Sequence, residues 1–139
     1  MVESHVWNER LDLGNEAMDH EHHLQIGLVS AFVDAVEQRR PGLARRFAEQ
    51  LLSYSAVHFG SEDLLMEGSA YADRDAHGRE HERFLEQMRE LQRALDAGET
   101  DVATAAALDL RGALAAHIGD ADRRLASHVT VPRAASPRT

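Results

Sequence analysis

Five histidines and two carboxylates fall at spacings that four antiparallel helices would bring to one point. They are His22, then His58 with Glu62, then His77 with His81, then His117 with Asp122. Imidazole and carboxylate suit iron, zinc, copper or manganese. Burying so many polar side chains is costly unless something binds them, and a pair of metal ions would satisfy them all. At about 100° per residue, positions four apart lie about 40° apart on a helix. His58 therefore projects with Glu62, and His77 with His81. His117 and Asp122 are five apart, about 140° around the axis, so sharing a metal requires side chains that reach sideways. Two octahedral ions held by five imidazoles, two bridging carboxylates and one bridging oxide or hydroxide keep one position open. An exogenous ligand needs such a position. The excess of neutral imidazole favours a ferrous pair, and ligand binding over oxygen activation.

Each ligand group needs its own helix, and the apolar periodicity supplies four. Helix A is expected over 16–38, with Met18, His22, Ile26, Val29, Val33 and Val36 on one face. Helix B covers 42–66, with Phe47, Leu51, Tyr54, His58, Glu62 and Leu65 inward, and Gly68-Ser69 breaking it. Helix C, 72–96, steps by four and three through His77, His81, Phe84, Met88, Leu91 and Leu95, the seam of a left-handed bundle. Its other side, Arg79, Glu82, Arg83, Glu86, Arg89, Glu90 and Arg93, is a solvated face. Ala97-Gly98 closes helix C, and Thr100 is expected to cap helix D over 101–127. Residues 1–15 form an arm in which Trp7 is a plug, and residues from Thr130 a frayed tail. Short loops make neighbouring helices antiparallel. The expected architecture is an all-α, up-down-up-down four-helix bundle occupying 1–129. Tyr54 is expected as a core aromatic, and His5, His20, His23 and His128 as surface residues.

Composition excludes much else. The chain has 139 residues, 43% of them hydrophobic, which suits one domain with one core. A formal net charge of −9 argues against nucleic acid or an anionic membrane as partner. No run of apolar residues is long enough to span a bilayer, and the first 30 residues carry no apolar signal-peptide core, so a cytoplasmic protein is expected. With no cysteine there can be no disulfide, zinc-thiolate or iron–sulfur site.

From Trp7 to about Leu125 the chain resembles the hemerythrin family, in its single-domain bacterial form. The resemblance rests on Trp7-Asn8-Glu9-Arg10-Leu11-Asp12-Leu13-Gly14, on Met18-Asp19-His20-Glu21-His22, and on the run His58-Phe59-Gly60-Ser61-Glu62-Asp63-Leu64-Leu65-Met66. Tyr71, His77-Gly78-Arg79-Glu80-His81 and His117-Ile118-Gly119-Asp120-Ala121-Asp122 complete it. The resemblance implies two iron ions. His77, His81 and His117 would hold one, His22 and His58 the other, with Glu62 and Asp122 bridging. Dioxygen would bind end-on at the two-histidine iron, in a pocket lined by Phe59, Leu114 and Ile118. Gln25 stands three residues after His22, where the family usually has Leu or Ile. It would bring an amide, and with it protons, to that pocket. Oxygen storage, delivery or sensing is the leading expectation. The alternatives are a di-iron enzyme acting on peroxide or nitric oxide, or a sensor module read by a partner protein. Small anions are further expected ligands.

Overall fold

The computed structural model describes residues 11–135 in backbone and 11–129 in side chains. Trp7, His5 and most of the expected arm lie outside them. Helix α1 is Glu16–Glu37, α2 Pro41–Gly68, α3 Arg74–Asp96 and α4 Thr100–His117; a π-helical turn, Ile118–Asp122, leads into α5, Arg123–Ala135. Each long helix packs on the next, and α1 closes the square against α4. With three short connections this is the antiparallel four-helix bundle. The helical backbone runs on to Ala135, past the expected end of helix D near 127.

Local chemistry explains the ends. The Asn15 side chain accepts from Met18 N–H at 3.1 Å and caps α1, with Glu16 and Asp19 in the first turn, where the helix dipole favours acids. Pro41 opens α2 at the position where a missing N–H costs nothing. Helix α3 closes through Gly98 at φ 77°, with Gly98 N–H bonded to Leu95 O and Glu99 N–H to Ala94 O. That closure feeds directly into α4. Glu99 takes the capping position without a side-chain bond, and Thr100, expected as the cap, is the first helical residue. The same closure ends α1 and α2, but with Arg39 (φ 60°) and Ala70 (φ 55°) in the left-handed position instead of glycine.

The bundle has two unlike halves. Toward the α1–α2 and α3–α4 connections its interior is apolar, built from Phe32, Ala48, Leu51, Met88, Leu91 and Leu110. Toward the α2–α3 connection the interior becomes polar. The inward faces follow the expected periodicity on α1 and α3. On α2 the register differs at three positions: Phe47 and Tyr54 are half-buried and Leu65 is 39% exposed, while the residues that follow them, Ala48, Ser55 and Met66, are buried. His20 and His23 are exposed. His128 is not a surface residue: it is half-buried, hydrogen-bonded to Ser69 O at 3.0 Å and packed on Tyr71, so it pins α5 to the α2–α3 connection.

Candidate metal centre

All seven expected ligands meet in the polar half, none more than 5% exposed. They form two groups. Glu62, His77, His81, His117 and Asp122 make one; His22, His58, Glu62 and Asp122 make the other. The carboxylates are shared oxygen by oxygen. Glu62 turns Oε1 to His77 (3.3 Å) and His81 (3.0 Å), and Oε2 to His22 (3.4 Å) and His58 (3.2 Å). Asp122 turns Oδ1 to His77 (3.0 Å) and His117 (3.1 Å), and Oδ2 to His22 (3.0 Å).

These distances test the fit of a metal. Donors about 2.1 Å from an octahedral ion lie about 3.0 Å apart at adjacent corners, the spacing observed. Yet Nε2 of His58, His81 and His117 and Oδ1 of Asp122 are buried without a hydrogen-bond partner. They stand close to one another but are not aimed at one another as donor and acceptor. Polar atoms do not stay buried and unpaired without a reason. Two ions, one per group, would supply it, with both carboxylates bridging.

The π-helical turn solves the geometric difficulty of His117 and Asp122. Bonding five residues back instead of four places residues five apart side by side, as α geometry does residues four apart. Asp122 thereby returns to the face of His117. Gly119 lies within this turn, and its carbonyl accepts from the Arg123 side chain at 3.3 Å.

A set of carboxylates missed in the sequence supports the histidines from outside. Glu21 bonds His58 Nδ1 at 2.6 Å, Asp63 bonds His81 Nδ1 at 3.3 Å, and Glu80 bonds His117 Nδ1 at 2.5 Å. Such a partner fixes the ring and strengthens its other nitrogen as a donor. Each acid immediately neighbours a ligand on its own helix, and each reaches a ligand on the following one. That adjacency was the available signal. His22 Nδ1, by contrast, is buried without a partner among the described residues.

Charge within the cluster is strongly coupled. Burial alone lowers the pKa of His22, but hydrogen bonds and charge from Asp122 and Glu62 overcome it and push the group up to about 9. His77 rises to about 9 against the same burial and through the same two carboxylates. His58 and His117 also rise, as carboxylate partners outweigh burial. Burial would raise Glu62, yet the surrounding imidazoles hold it well below the usual carboxylate range. Asp122 is likewise held down by His117, His22 and His77, against burial and the charge of Glu62. Without metal, protons take the place that cations would occupy.

The expected pocket residues are all interior. Leu114 and Ile118 are fully buried, and Phe59 stacks on His81 at 4.1 Å between centroids. Gln25 is 1% exposed, and its amide donates to Ser55 Oγ at 2.9 Å, so it does not turn to solvent. Tyr54 is half-buried and lies parallel to the His58 ring, at 6.4 Å between centroids.

Residues 13–129 match the family model described as the hemerythrin HHE cation binding domain. The chain is 29% identical over 94 residues to the bacteriohemerythrin of Pseudomonas paraeruginosa, a match covering 68% of this chain and 61% of that protein. It therefore spans less than two thirds of that relative. A bacteriohemerythrin of Ralstonia nicotianae is 28% identical over 119 residues, covering 86% of this chain and 84% of the relative. Among solved structures, a hemerythrin L114Y mutant superposes with a TM-score of 0.79 at 23% identity, over 90% of this chain and 96% of that one. Among the described residues no helix is long and apolar enough to cross a membrane. The bundle, its paired ligand groups and the match over most of its length make this chain a member of the hemerythrin family.

Proposed function

We propose that this chain is a non-haem di-iron protein that binds dioxygen at the two-histidine group. The observation that carries this reading is the unequal division of the ligands, three imidazoles in one group and two in the other around the same two carboxylates. With a bridging oxide or hydroxide, an ion in the three-histidine group would have a full octahedral set, and one in the two-histidine group would lack one donor. A ferrous pair bound here would supply the electrons for reversible oxygen binding. The protein supplies the rest. Glu62 and Asp122, each facing both groups, would hold the two ions. Glu21, Asp63 and Glu80 orient His58, His81 and His117. Phe59, Leu114 and Ile118 wall the ligand pocket against water. Storage, delivery and sensing all use this one property. A second reading, turnover of peroxide or nitric oxide, draws support from Gln25, a buried amide one helical turn from His22.

The test is an absorption spectrum of the iron-loaded, dithionite-reduced protein before and after air, with metal analysis alongside. About two irons per chain and a charge-transfer band that appears with air and fades on removing oxygen are expected. Stoichiometric zinc at a single site after iron reconstitution would overturn the reading. Rapid peroxide consumption without a reversible band would favour the enzyme.

A further inference from the structure

Among the described residues the metal ligands leave three other polar side chains in the buried interior, Gln25, Ser30 and Ser55. Ser30 is engaged by Arg111 at 3.0 Å. Gln25 and Ser55 have each other. Gln25 is 1% and Ser55 0% exposed, and the bond between them measures 2.9 Å. Their positions are matched: Gln25 follows His22 by three residues on α1, and Ser55 precedes His58 by three on the antiparallel α2. The pair is therefore a rung across the two helices, about one turn, or about 5 Å, along the bundle from the His22–His58 rung. The two imidazoles of that rung meet edge to face at 5.0 Å.

The inventory of the pair is unequal to its bond. A primary amide offers two N–H donors and a carbonyl acceptor. One N–H is spent on Ser55 Oγ, and no partner takes the other among the described residues, on a rung one turn from the group with fewer histidines. A glutamine side chain left free has many rotamers, and ordering it on a ligand would weaken binding. The serine removes that cost by holding the amide in place beforehand.

We propose, resting on the function proposed above, that Gln25 is a specificity-determining donor of the ligand site and that Ser55 is its positioning residue. The free amide N–H bonds the outer atom of a small, end-on ligand that accepts hydrogen bonds, and the site discriminates in favour of anions such as azide. Ser55 touches no ligand and acts through Gln25.

Azide is the probe, titrated into the diferric wild type, Gln25→Leu, Ser55→Ala and the double variant, each first shown to hold two irons. Binding is read from the azide-to-iron absorption band, and the infrared stretch of bound azide reports the hydrogen bond directly. A bond to a charged acceptor predicts a Kd raised about tenfold or more in Gln25→Leu. Ser55→Ala should raise it less, and the double variant should match Gln25→Leu with no further loss. The azide stretch should move in Gln25→Leu. If the leucine variant loads iron poorly, Gln25→Met, with a chain of similar length, is read the same way. Equal Kd and unmoved stretch in all variants overturn the inference while leaving the proposed function standing. A two-iron wild type that binds no azide overturns the proposed function, and the inference with it.

Discussion

Removing the metal and raising the pH should weaken this protein, and restoring the metal should reverse the trend. In the metal-free protein His22 and His77 stand at about 9 instead of 6.5. The native state then keeps protons between pH 6.5 and 9 that the unfolded chain releases. Their contribution is fully present below pH 6.5 and is lost as pH climbs through 9. Glu62 and Asp122 are held low, so what they add is lost only in acid. For His22, which is 0% exposed, a rise from 6.5 to about 9 corresponds to about 3 kcal/mol. His77 draws on the same two carboxylates, so the pair is taken together at that value. Unfolding entropy for a chain of this length is about 0.3 kcal/mol per kelvin, so the melting temperature should fall by about 10 °C between pH 6 and pH 9.5. Metal ions need neutral imidazoles. Loading near pH 7 must therefore expel protons, and affinity should rise with pH. Calorimetry of both forms at pH 6, 7.5 and 9.5, with proton release followed in weak buffer during loading, tests both halves. A metal-free melting temperature that holds level or rises from pH 6.5 to 9, or loading without acid release, would refute the reasoning.

Three further outcomes are expected. Replacing Glu62 or Asp122 with alanine should empty both metal positions, since each carboxylate faces both groups, whereas His22→Ala should leave about one metal per chain by elemental analysis. Gly112 lies exposed within α4 and an added Cβ would meet nothing within 4 Å; Gly112→Ala should stabilise the protein by about 1 kcal/mol, raising the melting temperature by about 3 °C in a thermal scan. Gln25→Leu should slow the decay of the air-induced absorption band, because the amide that can bring protons into the pocket is gone; decay as fast as in wild type would remove Gln25 as the proton route.

The sequence was most legible where α geometry and ligand spacing agree. His58 with Glu62 and His77 with His81 are four apart, and a regular helix is all they need. His117 and Asp122 looked poorly matched because nothing in their residue types announces a π-helical turn, and only the backbone reveals that five residues can return to one face. Ser55 was hard to place for a different reason. Hydropathy assigns a hydroxyl to the surface by default, and its pairing with Gln25, which the resemblance had placed at the pocket, crosses two helices. Glu21, Asp63 and Glu80 disappeared among 24 acidic residues, although each adjoins a ligand. Leu65 and Met66 are both apolar neighbours, and periodicity could not choose between them; packing puts the methionine inside.

The outer carboxylates also bear on the order in which the molecule can be completed. Glu21 to His58 and Glu80 to His117 each span 37 residues, and Asp63 to His81 spans 18. In each pair the acid is synthesised before the histidine it holds. The contact of His22 with Asp122 instead joins the first helix to the π-helical turn after α4, and closing so long a loop costs more chain entropy and comes late. A nascent or truncated chain ending before Asp122 can assemble most of the outer frame but has only Glu62 to span the two ligand groups. Tight uptake of a metal pair thus depends on the arrival of the π-helical turn after α4, and a partly made chain offers cations only a weaker, open-sided cluster.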